Sequence, residues 1–289
     1  MTTLYEGAFA KINLTLDVLG KRADGYHDLQ SVMQTISIRD DVEIDVGTGK
    51  PWRLLCSVEG IPTDEKNLAW KAAKVYCDAM DKDPEGLEIR IVKRIPAGAG
   101  LGGGSADAAA VLRALDSLIG TVSKERLYGA ALSLGADVPF CLAGGAMRCT
   151  GIGEIMTPCR PLPPHKLMIV GGCGEKRSTA AMYSELDRRL GRGADGCGGE
   201  SRIDIGGDMV QALESGLLDR ICAALHNDFE LVNLGCAEVR RLLANCGALG
   251  SLLCGSGPTV FGLFEPAFDT APAVNRLTAA GYRVLYVGI

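Results

Sequence analysis

A glycine-rich segment offers the clearest chemistry in this sequence. Five glycines fall within the seven residues from Gly98 to Gly104, after a strand-like run that stops at Pro96 and before a helix-forming run from Ala106. Glycines let backbone N–H groups approach an anion closely, and the N-terminal end of the following helix carries a partial positive charge. The segment therefore predicts a binding site for a polyphosphate, with a plain strand-to-helix turn as the structural alternative.

Two common nucleotide-binding motifs do not fit this segment. Gly98 to Gly103 matches G-x-G-x-x-G, but a second predicted helix follows the first one. A dinucleotide-binding unit would instead continue with a strand that ends in an acidic residue. A Walker loop is excluded as well, because Gly104-Ser105 stands where Lys-Ser or Lys-Thr would be. The phosphate interpretation therefore depends on the glycines and on the helix that follows them.

The elements that must position this loop follow one another irregularly. In the first half, apolar spacing predicts strands at 14–19, 42–46 and 87–95 and helices at 67–79, 106–118 and 123–134. In the second half it predicts helices at 219–225, 231–245 and 267–280 and strands at 251–254, 259–264 and 282–287. Because helices and strands do not alternate regularly, the predicted class is α+β rather than a doubly wound sheet.

Two breaks in composition organise the chain. Four prolines between Pro158 and Pro164 predict the boundary between two domains, residues 1–160 and 161–289. Five glycines between Gly191 and Gly199 predict a flexible surface loop, to which we assign no function. A chain of 289 residues is long enough for two domains of ordinary size.

Composition narrows the class of protein. The chain carries 30 Lys and Arg against 35 Asp and Glu, a net charge of −5, so a nucleic-acid surface is not expected. Eleven cysteines form no C-x-x-C pair, and the three histidines His27, His165 and His226 are too dispersed to suggest a metal-ligand set. No secretory signal and no apolar run of membrane-spanning length is visible. We expect a cytoplasmic protein with reduced thiols that binds no membrane.

Four parts of the sequence together resemble the GHMP kinases, the superfamily of galactokinase and of the homoserine, mevalonate and phosphomevalonate kinases. In chain order they are A-K-I-N-L at 10–14 with R-A-D-G-Y-H-D-L-Q at 22–30, P-A-G-A-G-L-G-G-G-S-A at 96–106, G-A-D-V-P-F at 135–140 and G-S-G-P-T-V-F at 255–261. The first pair narrows the resemblance to the members that act on a cytidine diphosphate-linked methylerythritol. The resemblance implies an N-terminal domain like ribosomal protein S5 domain 2 and a ferredoxin-like C-terminal domain.

The resemblance also implies an activity. It is the ATP- and Mg²⁺-dependent transfer of the γ-phosphoryl group to the 2-hydroxyl of the erythritol part, a step of the non-mevalonate route to isoprenoid precursors. The partner would be this small molecule, and the protein would be a monomer or a homodimer. Two alternatives stay open: another small-molecule kinase of the superfamily, of the homoserine or mevalonate type, and a non-catalytic relative that binds nucleotide.

Two residues resemble the catalytic pair of the family. Asp137, in G-A-D-V-P, would accept the proton of the attacking hydroxyl, and Lys11, in A-K-I-N-L, would keep that carboxylate ionised. An ordinary carboxylate is a weak base, but phosphoryl transfer depends mainly on orientation and charge stabilisation. The alternatives are an Asp137 that caps a helix or turn and a Lys11 that lies along the surface.

For the nucleotide, the resemblance implies contacts along the whole glycine segment, with three further residues beside the adenine. The segment comprises Pro96, Ala97, Gly98, Ala99, Gly100, Leu101, Gly102, Gly103, Gly104, Ser105 and Ala106, and the three are Asn67, Leu68 and Lys93. The hydroxyl of Ser105 could bind Mg²⁺ or phosphate, or could cap the helix. Asn67 could equally be only a helix cap.

For the acceptor substrate, the resemblance implies contacts from both halves of the chain. The residues are Asn13, Tyr26, His27, Thr179, Tyr183, Gly255, Ser256 and Gly257. Tyr26 would stack on cytosine, His27 would read its polar edge, and the two glycines near 256 would let the C-terminal domain approach the first glycine loop. A simple turn at 24–27 and an ordinary amphipathic helix at 179–183 are the alternatives. Met33 stands where an aromatic residue is expected against the base, so base affinity is expected to be weaker.

Overall fold

The computed structural model describes residues 1–82, 84–174, 178–191 and 204–288, which pack as two compact units. The first unit contains residues 1–10, 36–97 and 102–144, and the second contains 11–35, 98–101 and the described part of 145–288. The predicted loop at 191–199 lies outside the described residues, except for its first glycine. The predicted domain limits at residue 160 stay a prediction.

The described strands and helices have the following bounds. They are β1 (Thr2–Lys21), β2 (His27–Val46), β3 (Arg53–Cys56), α1 (Leu68–Met80), β4 (Leu87–Val92), α2 (Gly103–Ile119), α3 (Lys124–Leu134), α4 (Val138–Ala143), β5 (Ala146–Thr150), β6 (Ile155–Pro158), β7 (Lys166–Gly171), α5 (Thr179–Arg189), α6 (Ile205–Ser215), α7 (Leu218–Ala223), β8 (His226–Asn227), α8 (Cys236–Asn245), β9 (Gly250–Leu253), β10 (Val260–Phe264), α9 (Ala271–Ala279) and β11 (Arg283–Gly288). None of these described helices is both long enough and apolar enough to cross a membrane.

The first unit combines a small sheet with four helices. Residues 41–46 of β2 pair antiparallel with β4, and β4 pairs parallel with β3. Val42 and Ile44 are fully buried while Glu43 between them is not, as the alternating sequence predicts. α1 and α4 both pack on α2, whose buried residues include Ala106, Ala108, Ala109 and Ala110. Such small side chains let neighbouring helices approach α2 closely.

The second unit contains an antiparallel sheet in the order β11-β7-β10-β9. Along the chain these strands come as β7, helices, β9, β10, α9 and β11, which is the β-α-β-β-α-β sequence of a ferredoxin-like fold. Its core packs strand residues such as Val170 and Phe264 with helix residues such as Leu186, Val239 and Leu277. The predicted α+β class is therefore confirmed.

Element boundaries show where local sequence signals were sufficient. Helix α3 is capped by Ser123 and followed by Gly135, as predicted. The helix after the glycine loop starts at Gly103, three residues before the predicted start, because glycine is tolerated in a first turn. The predicted helix at 231–245 starts only at Cys236, after a 3₁₀ turn at Asp228–Leu231. The predicted helix at 267–280 starts only at Ala271, with a proline in its first turn.

Candidate active site

Strand β1 buries a polar row of side chains on one face. Lys11, Asn13, Thr15 and Asp17 are each at most 4% exposed, although their types usually lie at the surface. The alternate residues, Ile12 to Val18, are apolar and also buried. A strand with two buried faces, one of them polar, is built to hold functional groups, because each buried polar group needs a partner.

Hydrogen bonds connect this polar row. The ammonium of Lys11 donates to Oδ1 of Asn13 at 2.8 Å, and Nδ2 of Asn13 donates to Oγ of Ser31 at 2.8 Å. Ser31 in turn donates to the backbone carbonyl of Thr15 at 2.6 Å. The alternative of a surface lysine is therefore wrong, and the structure brings the predicted residues Lys11 and Asn13 together through a direct bond.

The far end of the row meets a histidine. Nε2 of His226 lies 3.0 Å from Oδ1 of Asp228, and Oδ2 of Asp228 accepts from the backbone N–H of Val18 at 2.8 Å. Asp17 lies close enough for the three side chains to offer ligand atoms within 4.8 Å of one another. The cluster contains one histidine and two aspartates, so it does not contradict the expectation that the three histidines are too dispersed to form a ligand set together. In this structure its bonds join β8 to β1.

The first half of the glycine loop is fixed by close backbone contacts. Gly100 has a φ of +79°, and a Cβ placed there would lie 2.0 Å from the carbonyl oxygen of Cys254. The hydroxyl of Thr259 donates to the carbonyl of Ala99 at 2.6 Å, and the backbone N–H of Lys11 donates to the carbonyl of Leu101 at 3.0 Å. Only glycine fits at position 100, because both the backbone conformation and the contact exclude a side chain.

The second glycine motif, Gly255-Ser256-Gly257, is held by a buried asparagine. Nδ2 of Asn227 donates to the carbonyls of Leu253 and Gly255 at 2.9 and 2.8 Å. Oγ of Ser256 lies 3.5 Å from Oγ1 of Thr179, so these two predicted residues are neighbours. A Cβ at Gly255 would lie 3.1 Å from the carbonyl oxygen of Gly100. The expected approach of the two glycine motifs is therefore present within the second unit.

The second half of the glycine loop forms the N-cap and the first turn of helix α2. Gly102 precedes the helix with a φ of 73° and supplies no side-chain cap. The N–H groups of Gly103, Gly104 and Ser105 have no acceptor within the helix, as at any helix start, and are suited to bind an anion. Gly104 is exposed, and a Cβ there would meet only Leu68, at 3.5 Å. Because Ser105 is the third helical residue, the alternative that it caps the helix is wrong.

A buried triad of charges lies against this first turn. The ammonium of Lys93 donates to Oδ2 of Asp107 at 2.6 Å and to Oδ2 of Asp40. Oδ1 of Asp40 accepts from the backbone N–H of Ile95 at 2.8 Å. A Cβ at Gly103 would lie 3.4 Å from Nζ of Lys93. The ammonium therefore supports the start of α2, and its predicted position beside the adenine stays a prediction.

The triad carries more negative than positive charge when both carboxyls are ionised. Burial raises the pKa of Asp107 to about 7, although the Lys93 ammonium opposes that shift. Burial alone would lower the pKa of Lys93, but Asp107 and Asp40 together raise it. Oδ1 of Asp107 is buried and has no hydrogen-bond partner among the described residues. A protonated Asp107 would leave the triad neutral.

This shift gives a pH-dependent stability. Because the pKa of Asp107 is raised from 3.8 to about 7 on folding, its contribution to stability is fully present below pH 4 and is lost as the pH rises to 7. Between pH 5 and pH 8 the wild type should lose unfolding free energy that Asp107→Asn keeps. The stability of the variant relative to the wild type should therefore rise by on the order of 1–3 kcal/mol over this range. Urea unfolding at both pH values, with the exposed Asp78→Asn as control, measures this gain. A pH-independent difference would contradict it.

Asn67 and Asp137 occupy helix starts in different ways. Oδ1 of Asn67 accepts from the N–H of Ala69 at 2.9 Å, and its Nδ2 donates to the carbonyl of Pro62 at 2.7 Å. The helix-cap interpretation of Asn67 is thus confirmed, while its contact with adenine, like that of Leu68, stays a prediction. Asp137 precedes α4, but its side chain makes no capping hydrogen bond. Asp137 thus occupies the N-cap position, in a turn, as the alternative expected, and its catalytic role stays a prediction.

The residues predicted to bind the base surround the start of β2. Tyr26 is 58% exposed in the turn that Asp24 closes by accepting its N–H at 3.1 Å. The next side chain, His27, is buried: its Nε2 lies 2.9 Å from Oδ2 of Asp187, and its ring stacks on Tyr183 at 4.5 Å. The predicted turn at 24–27 is therefore present, and it leaves the ring of Tyr26 exposed.

Tyr183 and Met33, the two other residues that were expected near the base, both pack against neighbouring side chains or strands. Tyr183 presents a ring face to His27 and meets Phe229 edge-on, with ring centroids 4.9 Å apart. Met33 is only 3% exposed, on β2 opposite Met147. Its side chain thus lies in the packed interior of the second unit. The effect of Met33 on base affinity stays a prediction.

Sequence reasoning missed four side chains that support the predicted residues. Asp40 and Asp107 hold Lys93, Asn227 holds the second glycine motif, and Asp187 holds His27. Asp107 carries a signal in retrospect, since an acid five residues into an alanine-rich helix is unusual on a buried face. Asp187 lies one helical turn after Tyr183, a spacing that shares one helix face. Asp40 and Asn227 depend on long-range contacts and carry no local signal.

Comparison with known proteins gives the same family that the sequence motifs resemble. Residues 67–145 match the family model of the GHMP kinases N terminal domain, and residues 209–283 match that of the GHMP kinases C terminal. The chain is 39% identical over 283 residues to a 4-diphosphocytidyl-2-C-methyl-D-erythritol kinase of Geobacter metallireducens, covering 96% of this chain and 95% of the relative. It is 40% identical over 287 residues to the protein of the same name from Geobacter sulfurreducens, covering 98% and 97%.

A solved structure agrees with these relatives. The crystal structure of a 4-(cytidine 5'-diphospho)-2C-methyl-D-erythritol kinase superposes with a TM-score of 0.74 at 32% identity, and the match covers 96% of each chain. The two matched family models include both glycine motifs and the segment at 135–140. The chain belongs to the GHMP kinases and, among them, to the family of the 4-diphosphocytidyl-2-C-methyl-D-erythritol kinases.

Proposed function

We propose that this protein transfers the γ-phosphoryl group of ATP to the 2-hydroxyl of 4-diphosphocytidyl-2-C-methyl-D-erythritol. The observation that carries the proposal is near-full-length identity of about 40% to relatives that bear this name. The chain also retains R-A-D-G-Y-H at 22–27, which a kinase of the homoserine or mevalonate type would not be expected to carry. A non-catalytic relative would not need both Lys11 and Asp137.

The nucleotide would bind where the glycine segment offers backbone donors. The N–H groups at the start of α2, which have no acceptor within the helix, and the exposed backbone at Gly104 suit the phosphates. The donor set also fits Mg²⁺, because the hydroxyl of Ser105 is a hard oxygen ligand beside these donors. Bound there, Mg²⁺ would neutralise charge on the phosphates. The ammonium of Lys93, which lies next to Gly103, would keep these N–H donors in position.

The chemistry is a direct phosphoryl transfer. The 2-hydroxyl oxygen forms a bond to the γ-phosphorus, the bond from that phosphorus to the β,γ-bridging oxygen breaks, and ADP leaves. Asp137 takes the proton of the hydroxyl. Lys11 supplies a positive charge that its bond to Asn13 holds in a fixed direction. Because the acceptor is a hindered tertiary alcohol, orientation by these groups should matter more than their basicity.

The acceptor would be recognised by residues of the second unit. The exposed ring of Tyr26 offers a stacking surface for cytosine, and Thr179 and Ser256 offer hydroxyl groups that lie together. The cytidine side thus combines an aromatic face with polar donors and acceptors. Asn13, already bonded to Lys11, would connect the acceptor site with the catalytic lysine.

The position of the new phosphate tests the proposed reaction. Purified protein is incubated with ATP, Mg²⁺ and the cytidyl-linked substrate, and the product is analysed by ³¹P and ¹³C NMR. We expect one new phosphomonoester whose phosphorus couples to the carbons around the tertiary centre. Transfer to a primary or secondary hydroxyl would contradict the assigned regiochemistry.

Loss of the Tyr26 ring should affect one substrate only. Stacking of a base on an aromatic side chain contributes about 1–3 kcal/mol, so Tyr26→Ala is expected to raise the KM for the cytidyl substrate by roughly 5- to 150-fold. The KM for ATP should stay unchanged. Steady-state kinetics measure both constants, with Tyr26→Phe as the control that keeps the ring. An equal rise in both KM values would contradict the stacking role.

A further inference from the structure

A buried serine on β2 contacts the polar row of β1 from the neighbouring strand. Oγ of Ser31 accepts from Nδ2 of Asn13 at 2.8 Å and donates to the backbone carbonyl of Thr15 at 2.6 Å. Ser31 is fully buried and Asn13 is only 1% exposed. Ser31 lies one residue beyond the motif at 22–30, so the family resemblance gives it no role. Its two hydrogen bonds nevertheless connect it to the residues around Lys11.

The direction of each hydrogen bond in this network follows from a group that can only accept. A backbone carbonyl has no hydrogen to donate, so the single hydroxyl hydrogen of Ser31 is used by its bond to Thr15. The oxygen of Ser31 can then only accept from Asn13, and the side of the amide that faces it must be Nδ2. The other side of the amide, Oδ1, is thereby turned towards Lys11.

The opposite end of the network can only donate. The ammonium of Lys11 carries three N–H groups and no acceptor, and it donates to Oδ1 of Asn13 at 2.8 Å. A reversed amide would place Nδ2 against this ammonium and Oδ1 against the oxygen of Ser31, so both hydrogen bonds would be lost. Because these side chains are all buried, each lost bond would leave a costly unpaired group. The network therefore holds the amide in one orientation.

We propose that Ser31 is a positioning residue for phosphoryl transfer, which fixes the amide of Asn13 so that its oxygen holds the ammonium of Lys11 in the direction that the reaction needs. The inference rests on the proposed function, since it explains how the charge of Lys11 is directed there. The effect of Ser31 passes through Asn13. Loss of the Ser31 hydroxyl should therefore slow the transfer step and leave the binding of ATP unchanged.

The kinetic test removes the hydroxyl and measures the transfer step alone. We expect Ser31→Ala to lower the single-turnover rate at least about tenfold, with the KM for ATP within about twofold of the wild type. Ser31→Thr keeps the hydroxyl and should recover most of the rate. Ser251→Ala makes the same change at another buried serine of the second unit, on β9, and should leave the rate unchanged. A wild-type rate in Ser31→Ala would overturn the proposal.

A double-mutant cycle tests whether the effect passes through the amide. Asn13→Ala removes the group that Ser31 is proposed to orient, so Ser31→Ala added to this variant should change the single-turnover rate by less than about twofold. A serine with a merely structural role would weaken the contact between β1 and β2 in both backgrounds, and the two losses of rate would multiply. Multiplying losses would overturn the proposal.

A crystal structure of Ser31→Ala gives a result that does not depend on activity. We expect the amide of Asn13 to turn, and the distance from Nζ of Lys11 to Oδ1 of Asn13 to lengthen beyond about 3.5 Å, where no hydrogen bond remains. A retained hydrogen bond between these two atoms would overturn the proposal. If the wild type phosphorylated no cytidyl-linked acceptor, the proposed function would be wrong, and this distance would still decide whether Ser31 positions the lysine.

Discussion

An Asp137→Asn variant is expected to bind MgATP as the wild type does and to lose kcat by roughly 10²- to 10⁴-fold, the usual contribution of a positioned base. The asparagine keeps the shape of the side chain and removes the group that takes the proton. The variant should fold, because asparagine is close to aspartate in size and shape. Single-turnover rates together with nucleotide affinity from calorimetry measure the two quantities separately.

A matched control separates loss of this carboxylate from loss of charge in general. Asp208 is an exposed aspartate in the first turn of α6, so Asp208→Asn makes the same chemical change at another helix start. We expect its kcat to equal that of the wild type. Turnover by Asp137→Asn within threefold of the wild type would remove Asp137 from the mechanism. A parallel loss of ATP affinity would assign it a binding role instead.

A Gly100→Ala variant is expected to lose about 2–5 kcal/mol of unfolding free energy and to bind ATP poorly. The left-handed conformation at Gly100, with a φ of +79°, costs a residue with a side chain about 1–2 kcal/mol. Overpacking costs a further 1–3 kcal/mol or so, because the new Cβ would lie 2.0 Å from the carbonyl oxygen of Cys254. The backbone must move apart, and the loop that would hold the phosphates moves with it.

Gly145→Ala is the control for this variant. Gly145 has nearly the same φ, +80°, but a Cβ there would meet no atom within 4 Å. We expect it to lose only the conformational term of about 1–2 kcal/mol and to keep its affinity for ATP. Urea unfolding and ATP titration of both variants measure the difference. Equal losses in the two variants would show that the contact with Cys254 is unimportant.

Local signals in the sequence were enough to predict the glycine loop and several helices. The caps Ser123 and Asn67 carry their own hydrogen-bonding groups, so their helices could be located within one residue. The antiparallel order of β11, β7, β10 and β9 could not be derived from these signals, because strand pairing depends on contacts between distant residues. It was expected only from the family resemblance.

The polar interior was the part that sequence reasoning described least well. Lys11 read alone suggests a surface lysine, and only the bond to Asn13 and the burial of the whole row show otherwise. Lys93 was expected beside the adenine, but the expectation did not include Asp40 and Asp107, which are 53 and 14 residues away in the chain. The charges that surround a buried lysine come from distant segments, so spacing along the chain does not reveal them.

Acceptor choice tests the central claim most directly. ADP release from MgATP would be measured with cytidyl-linked methylerythritol, mevalonate, homoserine and galactose, each over a full range of concentrations. We expect kcat/KM for the cytidyl compound to exceed the others by at least about 10⁴-fold, because a site that hydrogen-bonds a base rejects acceptors without one. Comparable turnover of mevalonate, homoserine or galactose would contradict the assigned acceptor, and no turnover with any of the four would contradict the kinase activity itself.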